Sequence, residues 1–144
     1  NNSAVIAQDV AIDNGVYVDQ NGRENFTTIT QFQSTGSIAD VVQNRKNNAA
    51  SIIQFNALNE ARVWQNGKDN LTVVTQQVGL NTAEVYQKGI GNYTEITQFG
   101  TNHIHQVTQD GNGNSAFILA SGAGTGVPVI VNQAGNGLSV TITP

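Results

Sequence analysis

The chain has 144 residues, of which 38% are hydrophobic and only 11% are charged, with a formal net charge of −4 and no cysteine. This composition excludes a disulfide scaffold and disfavours a nucleic-acid partner, which requires an excess of basic residues. It also disfavours a helical bundle, because 19 Asn and 14 Gln stand where such a fold needs Leu, Ala, Glu and Lys. No apolar run approaches the roughly 20 residues of a spanning helix, so no membrane insertion is expected.

The first predicted element is a short strand near the N-terminus. It comprises Ala4, Val5, Ile6, Ala7 and Gln8, which include no charged residue and no proline. Natural sheets usually block an exposed edge strand with such residues. This strand therefore has no evident cap.

From residue 8 onward the chain repeats a short unit. Gln recurs every 11 or 12 residues as far as position 109, Val or Ile stands two residues before it, and Asn usually stands six residues before it. We expect regular repeats over about residues 8–120 and degenerate repeats over 121–144, within a single domain that covers 1–144. The amides that define the unit are Gln20, Gln31, Gln43, Gln54, Gln65, Gln76, Gln87, Gln98 and Gln109, together with Asn25, Asn48, Asn59, Asn70, Asn81, Asn92 and Asn114.

Within each unit the even offsets are restricted and the odd offsets vary. A period of two indicates a β-strand with one constrained face. All six charged residues of the strands lie on odd offsets, which predicts that the odd face meets water, since burying an unpaired charge is costly. Gly often follows Gln by two residues, where we expect the sharp turn of a four- or five-residue connection such as 66–69.

Two architectures fit such units, an antiparallel meander and a parallel solenoid. In a solenoid with two strands per coil, residues 22 apart become neighbours, and identical amides stack and bond along the axis. A meander offers the buried amides no such partner, and an unpaired buried amide is costly. The sequence therefore predicts an all-β, two-sheet parallel β-solenoid of about 13 strands, or about 6.5 coils of 22 residues. On its outer face this register places Arg62 between Asp40 and Glu84, and Trp64 beside Tyr86.

The C-terminal part of the chain is less regular. A glycine-rich stretch at 122–126 interrupts the repeat and Pro128 removes one backbone donor, yet 127–133 and 138–143 still alternate like strands. In a single coil, the free-energy cost of ordering the backbone exceeds the free energy gained by burying its two inward aliphatic side chains. Every coil therefore needs neighbouring coils to be stable. We therefore expect both ends to add further copies of the chain and to polymerise into a cross-β fibre. The predicted polymerisation edges are the N-terminal strand above and Leu138, Ser139, Val140, Thr141, Ile142 and Thr143.

The pattern Gln-x-Gly-x-x-Asn-x-Ala/Thr-x-Val/Ile-x-Gln resembles the repeat of the curlin family, the subunits of bacterial curli fibres. Good copies begin at Gln65 and Gln87, whereas His103, His105 and Ala120 depart from it. The resemblance implies a secreted functional amyloid that self-assembles at the bacterial cell surface into biofilm matrix and mediates adhesion. It also implies a nucleator subunit, an outer-membrane export channel and periplasmic chaperones as partners. The regular middle favours the main subunit, with the fibre-nucleating minor subunit as the alternative.

Other classes of function find less support. His103 and His105 lie on one strand face without a third ligand, so we expect inward, hydrogen-bonded histidines and no metal site. No catalytic motif and no cofactor motif occurs, so we expect no enzyme and no cofactor. A soluble solenoid that binds ice would need an unbroken Thr array, and Ile53 and Leu119 interrupt the only candidate column. A carbohydrate-binding solenoid would need longer loops than these.

Overall fold

The computed structural model describes residues 1–143, and over that range its regular secondary structure is entirely β-strand. The strands in chain order are β1 (Ser3–Asp9), β2 (Gly15–Arg23), β3 (Phe26–Phe32), β4 (Ile38–Lys46), β5 (Ala49–Phe55), β6 (Glu60–Lys68), β7 (Leu71–Gly79), β8 (Thr82–Ile90), β9 (Tyr93–Thr101), β10 (Ile104–Asn112), β11 (Ser115–Ala123), β12 (Pro128–Asn136) and β13 (Ser139–Ile142).

The strands form two parallel sheets that alternate along the chain. The seven-stranded sheet has the order β1-β3-β5-β7-β9-β11-β13, and the six-stranded sheet has the order β12-β10-β8-β6-β4-β2. Each strand therefore pairs with the strand two places along the chain, so two successive strands make one coil. This arrangement confirms the predicted two-sheet parallel solenoid of about 13 strands.

The register places equivalent residues of successive coils directly over one another. Val41 pairs with Val63, and Val63 with Val85. The coil repeat is 22 residues only in the middle of the chain: it is 23 where Gln20 meets Gln43 and 24 where Gln109 meets Gln133. The extra residues lie in the connections, because the paired strands themselves match residue for residue.

The core consists of aliphatic columns that run along the solenoid axis. Ile29, Ile52, Val74, Ile96 and Ile118 line the seven-stranded sheet from inside and are at most 1% exposed. A matching Val column lines the six-stranded sheet. Each such side chain contributes about 1.5–3 kcal/mol when fully buried, and its nearest neighbours belong to the coils above and below.

The strands are longer than the sequence pattern predicted. Several continue through the glycine two residues after Gln, so that residues 69 and 70 alone connect β6 to β7. The expectation of a four-residue turn at 66–69 was therefore wrong. Gly89 has a φ of +120°, and a Cβ there would lie 1.9 Å from the carbonyl oxygen of Gly111 in the next coil. Glycine at this place lets two coils approach closely while the strand continues.

The outer face of the six-stranded sheet has one predicted and one unexpected feature. The rings of Trp64 and Tyr86 stack with centroids 4.1 Å apart and planes at 9°. Arg62 forms ion pairs with Glu60 on its own strand and with Glu84 at 3.2 Å. Asp40 lies in register below Arg62 but is not among its partners in residues 1–143, and its Oδ1 is buried without a hydrogen bond.

Candidate functional site: amide ladders and open solenoid ends

Two glutamine ladders run along the solenoid axis, one inside each sheet. The ladder of the six-stranded sheet reaches both ends, whereas that of the seven-stranded sheet ends at Gln98. The ladder of the six-stranded sheet comprises Gln20, Gln43, Gln65, Gln87, Gln109 and Gln133, and that of the seven-stranded sheet comprises Gln8, Gln31, Gln54, Gln76 and Gln98. In each step the Nε2 amide donates to the Oε1 atom of the next Gln toward the C-terminal end. The sequence pattern included neither Gln8 nor Gln133 among the ladder amides.

Each interior Gln uses both hydrogens of its amide. Gln65 Nε2 donates to Gln87 Oε1 at 2.9 Å along the ladder and to the backbone oxygen of Ala49 at 2.9 Å in the opposite sheet. Gln54 repeats this arrangement with Gln76 and Ile38, at 2.9 Å each. The ladders therefore hold successive coils together and also tie the two sheets to each other. Because these side chains are fully buried, each bond is formed away from water, where an unpaired amide costs about 1–3 kcal/mol.

The asparagines form a second kind of ladder at the start of each strand. Asn70 Oδ1 accepts the backbone N–H of Asn92 one coil further on, at 3.0 Å, while Asn70 Nδ2 donates to Gly89 O at 3.1 Å. The same pattern joins Asn92 to Asn114 and to Gly111. The Asn side chains thus satisfy backbone groups in the tight connections. The fully or almost fully buried members are Asn25, Asn48, Asn59, Asn70, Asn81, Asn92 and Asn114.

Three threonine hydroxyls complete the Gln ladder of the six-stranded sheet. Thr27, Thr72 and Thr94 donate from Oγ1 to the Oε1 atoms of Gln43, Gln87 and Gln109, at 2.9–3.0 Å. The sequence pattern marked these positions only as small. The signal that distinguishes them is that Thr occurs at this offset only in the seven-stranded sheet, at three of its six places from β1 to β11.

The N-terminal end of the solenoid presents β1 and β2. Every residue of β1 is exposed, including the inward Ile6 at 49%, because no strand lies beneath it. Gln8 Oε1 accepts no hydrogen bond among residues 1–143, since the ladder begins here. The edge residues Ala4, Val5, Ile6, Ala7 and Gln8 all lie within β1.

The C-terminal end presents β12 and the short β13. Ser139, Val140, Thr141 and Ile142 form β13, whereas Leu138 and Thr143 flank it. Gln133 Nε2 donates to Ser115 O at 3.0 Å, and its bond along the ladder has no acceptor among the described residues. The inward Val140 and Ile142 are only partly buried. Both ends therefore expose strand edges, aliphatic columns and a ladder terminus.

The comparisons with known proteins recognise the repeat itself. A family model described as the curlin associated repeat matches residues 46–77 and 81–111, which contain β5, β6, β8 and β9 and most of β7 and β10. These segments make up less than half of the 144 residues, and within them the chain carries the curlin associated repeat. No curated protein and no solved structure matches it. The structure extends the repeat beyond the matched segments, because the ladder Gln20–Gln43 precedes them and Gln133 follows them.

Residues 1–143 contain no group of three or more metal-ligating His, Cys, Asp or Glu side chains. They also contain no helix with the length and apolarity to cross a membrane. A shallow groove of about 300 Å³ runs over Trp64 and Tyr86. The Thr column of the seven-stranded sheet is interrupted by Ile53 and Leu119.

One curlin repeat is modified by a linked pair of residues. Ala120 stands where the next ladder Gln would be, so Gln98 has no amide above it. His105 occupies the place of a small residue in the opposite sheet, and its Nδ1 lies 2.9 Å from Gln98 Nε2. Because the amide nitrogen can only donate, Nδ1 is the acceptor and the ring proton is on Nε2. His105 therefore replaces the missing ladder acceptor.

His103 replaces asparagine at the start of the same strand. Its Nε2 lies 3.1 Å from Gly122 O, as the Asn81 Nδ2 atom lies 2.8 Å from Gly100 O one coil earlier. A carbonyl only accepts, so His103 Nε2 carries the proton. The two rings stack with centroids 5.9 Å apart, without bonding each other. The sequence pattern predicts inward, hydrogen-bonded histidines, but it does not identify Gln98 and Gly122 as their partners.

The structure perturbs the pKa of three groups. Burial, with a smaller contribution from His103, lowers the pKa of His105 to about 4. Burial and the hydrogen bond to Glu95 raise the pKa of Tyr93 to about 12. A hydrogen bond from Asn47 lowers the pKa of the exposed Asp69 carboxyl. Of these, only His105 lies inside the repeat core, so its neutral form is part of the folded state.

Proposed function

We propose that the chain is a structural subunit of an extracellular amyloid fibre of the curli type. One observation carries the proposal: both ends of the solenoid expose strand edges and aliphatic columns, and the Gln ladder of the six-stranded sheet reaches both ends. Exposed parallel edges of this kind are templates for another chain. A second copy offers matching strands, matching columns and matching amides, so end-to-end addition satisfies all three at once.

The fibre is proposed to be secreted, to form biofilm matrix and to mediate adhesion at the bacterial cell surface. The curlin-repeat match supports a role as a curli subunit. The partners proposed from the family resemblance are a nucleator subunit, an outer-membrane export channel and periplasmic chaperones. The role proposed is that of the main subunit, since the ladder from Gln20 to Gln133 has no interruption. A nucleator would instead accelerate assembly at amounts far below the subunit it serves.

Incubation of the purified chain at neutral pH tests the proposal. We expect thioflavin-positive fibres whose diffraction shows reflections near 4.7 Å and 10 Å, the spacings between strands and between sheets. The variant Ile6→Lys places a charge on the open end, where Ile6 is 49% exposed. It should slow elongation at least tenfold.

The control is Leu80→Lys, because Leu80 is 58% exposed and lies between β7 and β8, away from both ends of the solenoid. This variant should assemble at the rate of the unmodified chain. Concentrated protein that stays monomeric indefinitely would contradict the proposal. Equal slowing by both variants would show that charge alone, and not the end, controls assembly.

A further inference from the structure

The odd number of strands makes the two sheets end differently. The chain begins and ends in the seven-stranded sheet, with β1 at one end and β13 at the other. The six-stranded sheet ends with β2 and β12. At the C-terminal end β13 therefore lies half a coil beyond β12. The next strand of an unbroken solenoid would lie on β12.

A second copy can add in two ways. If it is related by translation alone, its β1 pairs with β13, and its β2 lies two strand spacings from β12. The six-stranded sheet then lacks one strand at every junction, and the facing edges of β12 and β2 keep unpaired N–H and C=O groups. If the copy is rotated by about half a turn, its β1 pairs with β12 and its β2 pairs with β13. Both sheets then continue without a gap, so the backbone favours rotation.

The amide ladders favour rotation independently of the strand count. The ladder of the six-stranded sheet reaches the C-terminal end at Gln133, whose Nε2 points along the ladder without an acceptor among residues 1–143. The ladder of the seven-stranded sheet stops earlier, at Gln98, because Ala120 follows it. At the other end Gln8 offers a free Oε1 atom. Only rotation brings Gln8 of the next copy onto Gln133.

The aliphatic columns accept this arrangement. With Gln8 of the next copy on Gln133, its Ile6 lies on Val131 and its Val18 lies on Ile142. Ile6 is 49% exposed in the single chain and continues the same inward column in the fibre. On the outer face Val5 and Ile130, 54% and 56% exposed, become a cross-strand pair.

From these observations, and resting on the proposed fibre function, we infer that successive copies are related by a rotation of about half a turn about the fibre axis. In this interface β1 pairs with β12 and β2 pairs with β13 of the preceding copy, with Gln8 in register with Gln133. The partner at each end is thus a second copy of the chain, held by two parallel strand pairings and one hydrogen bond between the side-chain amides of Gln133 and Gln8.

Cysteine cross-linking distinguishes the two arrangements, because the natural chain contains no cysteine. Directly opposed residues of paired strands have Cα atoms about 4.8 Å apart, which suits a disulfide. Rotation places Val5 opposite Ile130, whereas translation places Val5 opposite Thr141. The test uses the double variants Val5→Cys/Ile130→Cys and Val5→Cys/Thr141→Cys, assembled reduced, then oxidised and dissolved without reductant. The single variants are the controls.

Rotation predicts a ladder of covalent multimers from the Val5/Ile130 variant and nearly all monomer or dimer from the Val5/Thr141 variant. A second pair in the same register, Ala7 with Asn132, should repeat the result, and it serves if the first pair assembles poorly. Multimers from Val5/Thr141 alone, or from neither variant although fibres form, would overturn the half-turn and leave the fibre function standing. Failure of the unmodified chain to form fibres would instead refute the proposed function.

The fibre geometry gives a second measurement on the unmodified chain. Thirteen strands shared by two sheets give an axial rise of about 31 Å per copy with rotation, against about 33 Å with translation and one missing strand. Helical reconstruction of electron micrographs measures both the rise and the rotation. A rotation near zero with the longer rise would refute the inference.

Discussion

Replacing Gln65 by Leu tests whether the buried amides hold the coils together. In the folded chain Gln65 Oε1 accepts from Gln43 at 2.8 Å, and its Nε2 donates to Gln87 and to Ala49 O. With Leu, one N–H of Gln43 loses its ladder acceptor, which costs about 1–3 kcal/mol, and each further bond lost costs about 0.5–1.5 kcal/mol. The extra apolar burial of Leu returns about 1 kcal/mol. The expected net loss is about 1–5 kcal/mol.

The matched control is Gln106→Leu, the same chemical change on the exposed outer face of β10. Its only side-chain bond is to Glu84 at 3.3 Å, so its effect should stay within about 0.5 kcal/mol. Denaturant unfolding followed by fluorescence reports the difference, because Trp64 is the single tryptophan and stacks on Tyr86 beside the ladder. Thioflavin kinetics should show slower assembly for Gln65→Leu alone. Equal unfolding midpoints for the two variants would refute the ladder argument.

Three further outcomes follow from the geometry. The pKa of His105 is lowered to about 4 in the folded chain, below its unfolded value of about 6.5. Between these two pH values the unfolded chain binds a proton that the folded chain does not. The free energy of unfolding should therefore be highest above pH 6.5 and fall by about 2–3 kcal/mol as the pH drops toward 4. Comparing acid titrations of the natural chain and His105→Ala checks this, and an unchanged pH slope would contradict it. Gly89→Ala should destabilise the fold by more than 3 kcal/mol, because the new Cβ would lie 1.9 Å from Gly111 O. Gly91→Ala places its Cβ in open space and should cost about 1 kcal/mol for its positive φ. Thermal unfolding ranks the two variants, and equal losses of stability would exclude the close approach at Gly89. Arg62→Ala should change the unfolding free energy by less than 1 kcal/mol, since the ion pairs of Arg62 are exposed. A much larger difference in unfolding free energy between this variant and the natural chain across a salt titration would contradict this.

The two sheets and their register were predictable because a solenoid repeats the same constraint at every coil. In the middle of the chain, equivalent inward positions of successive coils carry the same type of side chain, as with Val41, Val63 and Val85. A single deviation does not obscure such a column. The outward positions varied and held the charged residues of the strands, and these two contrasts identified the buried face.

Contacts between the sheets were not predictable from that periodicity. Thr72 donates to Gln87, fifteen residues away, across the interior. The repeat aligns residues within one sheet, so it carries no information on which column faces which in the other. The partner of His105 was missed for the same reason, because Gln98 lies in the opposite sheet.

The ends of the strands and the ion pairs also required the structure. Glycine was expected to close a turn. At Gly89, however, the absence of a Cβ lets the strand continue while its backbone lies close to that of the next coil. The register places Arg62 between Asp40 and Glu84, one coil away on either side. In the structure Arg62 forms ion pairs with Glu84 and with Glu60, which lies two residues before it on the same face. Competition between neighbours on one strand and across strands depends on rotamers, which a sequence pattern does not contain.

The pairing of His105 with Gln98 links two positions that the repeat alone would treat as independent. Ala120 leaves Gln98 without a ladder acceptor, and the imidazole of His105 supplies one beside the backbone oxygens of Thr82 and His103. A chimaera that exchanges whole coils with another chain of this repeat therefore keeps the pair only when its junctions fall outside residues 98–120.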